Sequence, residues 1–98
     1  MPAYIHAEVE VHDPVAYEDY RRQVAAVLAQ YGGRFIVRGG AAELLEGEPA
    51  PQRQVILEFA DMAALKAFYH SPEYAPLIAL RQRLSTGRLV AMEGVAAV

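Results

Sequence analysis

Residues 3–14 read AYIHAEVEVHDP, and the fold follows from how this stretch is read. Ala3, Ile5, Ala7, Val9 and Val11 alternate with Tyr4, His6, Glu8 and Glu10. Successive side chains of a strand point to opposite faces, so the pattern is a strand with one dry face and one mixed face. Asp13 then precedes Pro14: an acceptor for free backbone N–H groups is followed by a residue suited to the first helical position. A helix therefore starts at Pro14. Tyr17, Tyr20, Val24, Val27, Leu28 and Tyr31 recur at spacings of three and four, forming one apolar stripe over 14–31, and Gly32-Gly33 supplies a left-handed stop.

Outward from there, Phe35, Ile36 and Val37 predict a second strand beginning near Arg34. The pair Gly39-Gly40 predicts a bulge or sharp twist within it, with Ala42 to Glu46 continuing the strand beyond the kink. Gly47 to Gln52 makes the connecting turn. In Arg53 to Phe59, Val55, Leu57 and Phe59 alternate with Gln54, Ile56 and Glu58, which predicts a third strand. Asp61 caps a short helix in which Leu65, Phe68 and Tyr69 share a face, and His70-Ser71-Pro72 breaks it. A third helical piece from about Ala75 to near Gly87 turns Tyr74, Leu77, Ile78 and Leu84 inward, and Arg88 to Val95 reads as a last strand. Two strand-helix-strand halves with right-handed crossovers give a four-stranded antiparallel sheet in the order 4-1-3-2, with the helices on one face. This is an α+β fold of the ferredoxin-like type, a single domain over 1–98.

Composition narrows the function classes. A chain of 98 residues holds one hydrophobic core and not two. Nine basic against twelve acidic side chains, a net charge of -3 and scattered arginines leave no basic footprint for a phosphate backbone, so nucleic acid is not an expected partner. The absence of cysteine removes disulfides, thiolate metal sites and cysteine nucleophiles. No stretch reaches the length needed to span a bilayer and no secretory leader is recognisable, so the expected location is cytoplasmic.

The words AYIHAEVEVHDPVAYEDYRRQV, YGGRFIVRGGAAELLEG, VILEF and YHSPEYAPLIALR, in register along essentially the whole chain, resemble the uncharacterised family 1330 of the domains of unknown function, within the dimeric α+β-barrel superfamily. The resemblance implies a protomer that pairs sheet to sheet with a second copy, forming a barrel. The superfamily also contains cofactor-free monooxygenases, small-ring isomerases and haem-binding enzymes, but kinship of fold transfers no reaction.

Several residues can be weighed for chemistry. Glu8 and Glu58 lie on the mixed face of adjacent strands; two carboxylates brought close there would raise one pKa and suit acid-base work. Arg38 on the neighbouring strand, read as sharing that face, would neutralise one of them or hold an anionic ligand bidentately. The plainer reading is an ionic network that fixes strand or subunit pairing. His6 and Glu8 supply two metal ligands at most, short of a site, so no metal is expected; His6 is otherwise a satisfied or exposed histidine, a ligand contact or a general base. Haem coordination by His70 has no supporting motif, and no cofactor is expected. Tyr74 and Arg81, seven residues apart on one helical face, would reach a small carboxylate or phenol in a pocket between helices and sheet, the plainer alternative being packed tyrosines and a solvated arginine face. Ser71 and Ser85 read as caps, and neither a phosphate-binding glycine loop nor a serine triad can be assembled. The sequence thus supports a homodimer that binds a small anionic or aromatic molecule, with a cofactor-free monooxygenase or isomerase acting on a cyclic acid as the alternative.

Overall fold

The computed structural model describes residues 1–96. Strand β1 (Ala3–Val11) runs into helix α1 (Pro14–Gln30), then β2 (Arg34–Arg38), β3 (Arg53–Phe59), α2 (Met62–Tyr69), α3 (Ala75–Leu84) and β4 (Ser85–Glu93). The sheet order is β2-β3-β1-β4 with every neighbouring pair antiparallel, which is the expected ferredoxin-like arrangement. Both predicted caps are made: Asp13 accepts from the Ala16 N–H at 3.1 Å and Asp61 from the Ala64 N–H at 2.8 Å. Ser71 bridges the break between α2 and α3, its hydroxyl donating to the Phe68 carbonyl and accepting from the Tyr74 N–H.

The core lies between the helices and one sheet face. Ala3 and Ile5 of β1 and Leu57 and Phe59 of β3 meet Tyr17, Tyr20, Val24 and Leu28 of α1, Leu65 and Phe68 of α2, and Leu77 of α3. Phe68 is at its centre, 5.4 Å from the Phe59 ring and stacked at 4.4 Å on Tyr74. Burying an aromatic side chain this fully contributes about 2–3 kcal/mol, which makes this trio the main anchor of α2 and α3 to the sheet.

Three expectations are corrected. The strand does not resume at Ala42 to Glu46: β2 ends at Arg38, and the left-handed Gly39 (φ 69°) leads the chain off the sheet, leaving Leu45 86% exposed with nothing to pack against. The bulge lies not at Gly39-Gly40 but at Ile36, since Phe35 pairs with Leu57 and Val37 with Ile56. Helix α3 stops at Leu84 and β4 starts at Ser85, earlier than expected, because the Ser85 hydroxyl caps the helix by donating to the Arg81 carbonyl at 2.7 Å and the strand then pairs at once with Val11. Among the described residues, no helix is long and apolar enough to cross a membrane.

Candidate functional site

Register decides where the candidate residues fall. Glu8 of β1 faces Gln54 of β3, whereas Glu58 faces Tyr4. The two carboxylates share the open face but stand four residues apart along the strands, about 13 Å at the usual rise. They do not form the close pair considered from sequence. Each has its own partner instead: Gln54 Nε2 donates to Glu8 at 2.7 Å, and Arg34 pairs with Glu58 at 2.6 Å. His6 Nε2 lies 2.7 Å from Gln54 Oε1, so His6, Gln54 and Glu8 make one polar chain across the two central strands. Among the described residues, no three of His, Cys, Asp or Glu cluster as a metal site requires.

Arg38 is elsewhere. The extra residue at Ile36 shifts the alternation by one, so Arg34 and Val37 stay on the open face while Phe35 and Arg38 take the helix side, Arg38 opposite Val55. The expectation that Arg38 shares a face with Glu8 and Glu58 is thus corrected. Its guanidinium lies 4.0 Å above the Phe35 ring and donates through Nη2 to the Arg21 carbonyl at 3.3 Å.

On that side of the sheet Arg38 meets Tyr74 and Arg81. Tyr74, Leu77 and Arg81 form one stripe of α3 that faces inward, leaving Arg81 only 7% exposed. Tyr74, Arg81 and Arg38, together with Tyr20 and Arg21 of α1 and Arg53 of β3, line an inner cleft of about 40 Å³ walled by Val24, Phe35, Val55 and Leu57. That is room for a carboxylate group or a few waters at about 10–15 Å³ each. Arg21 and Arg53 also line an outer groove of about 320 Å³ formed with Val9, Glu10, Val11, Pro14, Tyr17 and Glu18, so this pair of residues borders both spaces.

The electrostatics of the cleft are one-sided. Four arginines line it and no carboxylate does. Among the described residues Arg21 alone of the four has an ion pair, with Glu18 at 2.6 Å on the groove side. The buried Nε atoms of Arg21, Arg53 and Arg81 have no hydrogen-bond partner among the described residues. The hydroxyls of Tyr20 and Tyr74 bond each other at 2.8 Å. One of the two protons is used in that bond; the other is left to donate. Burial drives the Tyr20 hydroxyl far above the ordinary tyrosine pKa, and the neighbouring Tyr74 oxygen adds to the effect, so Tyr20 stays neutral near pH 7. Burial works to lower the Arg81 pKa, but the Tyr74 and Tyr20 oxygens more than offset it, and the guanidinium keeps its charge. Chemically, four guanidinium groups and a hydroxyl pair can hold an anion by charge and by hydrogen bonds.

Reading the sequence placed Tyr74 and Arg81 together and missed Arg53, Arg21 and the role of Tyr20. Arg53 had a signal: it shares strand parity with Val55, Leu57 and Phe59, which puts it on the helix-covered face. His70 is exposed, edge-on to Tyr69 at 5.3 Å, and lines a separate groove beside β4 with Lys66.

Solved structures share this architecture. A protein of unknown function from Rhodopseudomonas palustris, RPA0582, superposes with a TM-score of 0.76 at 21% identity, covering 98% of this chain and 84% of its own. SnoaB, a cofactor-independent oxygenase from Streptomyces nogalater, matches in a mutant form with a TM-score of 0.71 at 17% identity over 99% of this chain and 96% of its own. A dimeric protein of unknown function and ferredoxin-like fold from Bacteroides fragilis gives 0.62 at 10% identity over 95% and 96%. At these identities the likeness establishes the fold and no chemistry. No curated protein matches the chain. The family described as Domain of unknown function (DUF1330) matches residues 2–95, and the chain belongs to it.

Proposed function

We propose that this protein binds a small planar carboxylate, with the anionic group among the arginines of the inner cleft and an aromatic body in the outer groove. The observation that carries the reading is the convergence of Arg21, Arg38, Arg53 and Arg81 on a cleft that no carboxylate lines, with three buried Nε atoms unpaired among the described residues. Like charges gathered without an anion repel one another and forgo hydrogen bonds, and a bound carboxylate removes both costs. The planar fork of arginine matches a carboxylate bidentately, and the free proton of the Tyr20–Tyr74 pair supplies a further donor. Pro14 and Tyr17 in the groove wall favour an aromatic ring.

The test is titration calorimetry with sodium benzoate and 4-hydroxybenzoate, against benzylamine as a cationic control. The expected result is saturable binding of the two acids, none of the amine, loss of acid binding in Arg81→Met, and acid binding weakened at least tenfold but still measurable in Arg53→Ala. Equal binding of acid and amine, or acid binding indifferent to both substitutions, would overturn the reading.

We infer also that the protein acts as a homodimer through the open sheet face. Ile36, Val37 and Met92 are 37–43% exposed there, around His6, Ile56 and Val90. The molecule measures 35 × 34 × 17 Å, and its broad face exceeds in footprint the about 800 Å² per partner of a standard interface. A protein of the same fold from Bacteroides fragilis is dimeric, which supports a dimer here as well. Native mass spectrometry giving twice the chain mass is the expected result, and a monomer at micromolar concentration would refute it.

A second reading, cofactor-free catalysis on a small cyclic acid as monooxygenase or isomerase, draws on the hydroxyl pair in the cleft and on the fold shared with SnoaB. Binding is favoured over it because Tyr20, held protonated, is a poor base at neutral pH, and Glu8 and Glu58 are on the far side of the sheet.

A further inference from the structure

Arg53 lines both the groove and the cleft, and on the side of β2 its guanidinium lies directly against Gly39. Gly39 is tied to β3 beside it, its N–H donating to the Gln54 carbonyl at 2.8 Å. A Cβ added at Gly39 would overlap Nη1 and Cζ of Arg53 and come within 2.9 Å of Nη2. The obstructed atoms are the far end of a flexible side chain, so a methyl group there would push the guanidinium aside instead of dismantling the strand. Other loop glycines differ. Gly40 has open space around it, and Gly32, also left-handed at φ 75°, has nothing near its missing Cβ.

We propose that Gly39 is the positioning residue of Arg53: it leaves the space in which the guanidinium is presented at the junction of groove and cleft, and so orients the fork that grips the carboxylate. The inference rests on the carboxylate reading of the cleft and deepens it. Bidentate recognition depends on orientation as well as charge, so displacing the fork weakens the grip although every charge is retained. The glycine after Arg38 belongs to the binding site as well as to the turn that ends β2.

The experiment is a mutant cycle read by benzoate titration and by the arginine Nε–Hε resonances in a ¹H–¹⁵N spectrum. Gly39→Ala is expected to weaken benzoate at least tenfold and to move the Arg53 Nε–Hε signal. In an Arg53→Ala background the same change is expected to alter affinity less than twofold. Gly32→Ala, which pays a similar left-handed backbone penalty, is expected to lower the melting temperature without affecting benzoate or the Arg53 signal. Should Gly39→Ala fail to fold, the double variant with Arg53→Ala is expected to fold, because the obstruction is gone. An unmoved Arg53 signal, equal losses in both backgrounds, or a Gly39→Ala variant that binds benzoate normally would overturn the role of Gly39. Absence of benzoate binding by the unmodified protein would instead sink the carboxylate reading, and the Arg53 signal would still decide whether Gly39 sets its position.

Discussion

The hydroxyls of Tyr20 and Tyr74, 54 residues apart in the chain, are 2.8 Å apart in the fold. One sits mid-way along α1 and the other at the N-cap of α3, so this bond joins the two helices directly above the arginine cleft. Tyr74 is also stacked on Phe68 and meets Tyr69 edge-on at 5.9 Å, which ties the wall of the cleft to the aromatic centre of the core. Site and core are therefore continuous, and changes at the hydroxyl pair act on both.

Tyr74→Phe leaves the Tyr20 hydroxyl buried without this partner. The expected loss of stability is about 1–3 kcal/mol by urea denaturation, and Tyr20→Phe is expected to behave alike. Because the two groups satisfy each other, the double variant should lose less than the two single losses added together. Strict additivity would show that the bond contributes nothing.

Alkaline pH tests the same pair through linkage. The folded pKa of Tyr20 is raised by burial above its unfolded value of about 10. Its contribution to stability is therefore fully present below pH 10 and lost as the pH rises further, when the unfolded chain ionises and the folded one does not. The slope is about 1.4 kcal/mol per pH unit for this one group. Absorbance at 295 nm should show tyrosines that ionise only as the protein unfolds, and full, reversible titration of all tyrosines in the folded state would contradict this.

Arg81 should show a conflict between stability and binding. It is buried, charged and incompletely hydrogen-bonded, a combination that costs stability. Arg81→Met keeps most of the apolar stem and discards the charge, so the unliganded variant is expected to be as stable as the parent or more so while benzoate binding disappears. A variant that is less stable by several kcal/mol would assign Arg81 a structural role instead.

Much of this was legible in the residues, for identifiable reasons. Element order and both aspartate caps depend on local chemistry, and Asp13 and Asp61 cap as their positions imply. Tyr74 and Arg81 were placed together because helical spacing is rigid. The face of Arg38 was not legible, since it depends on a single unpaired residue, and a bulge at Ile36 leaves no signature in a run of β-branched and aromatic side chains. Gly39-Gly40 drew the bulge to the wrong place because glycine marks many kinds of irregularity; here Gly39 turns the chain and leaves space beside Arg53. The separation of Glu8 from Glu58 likewise depends on register, which alternation alone does not determine.

Glu8→Gln separates the two faces of the sheet. Glu8 belongs to the chain with Gln54 and His6 on the open face, away from the cleft. The substitution is expected to leave benzoate affinity unchanged within twofold and to alter the dimer dissociation constant, measured by sedimentation. A tenfold loss of benzoate affinity with an unchanged dimer would place the functional carboxylate at Glu8 after all.

The bulge makes a prediction that runs against the usual expectation for a deletion inside a strand. Removing Ile36 joins Phe35 to Val37, and the pairs Phe35 with Leu57, Val37 with Ile56 and Arg38 with Val55 then follow one another in regular register. No side chain has to change face, Arg38 stays on the helix side, and Gly39 keeps its bond to Gln54. Ile36 is 43% exposed in the protomer, so little burial is lost within it. The deletion variant is expected to fold with a stability within about 1 kcal/mol of the parent and to bind benzoate nearly as well. Its dimer should be weaker, because an apolar side chain is removed from the open face. By contrast, deleting Val37 together with Ile36 brings Arg38 next to Phe35 on the opposite face and should abolish binding. If the single deletion unfolds the protein or loses the ligand, the bulge has a role in shaping the edge of the cleft beyond that of setting which way Arg38 points.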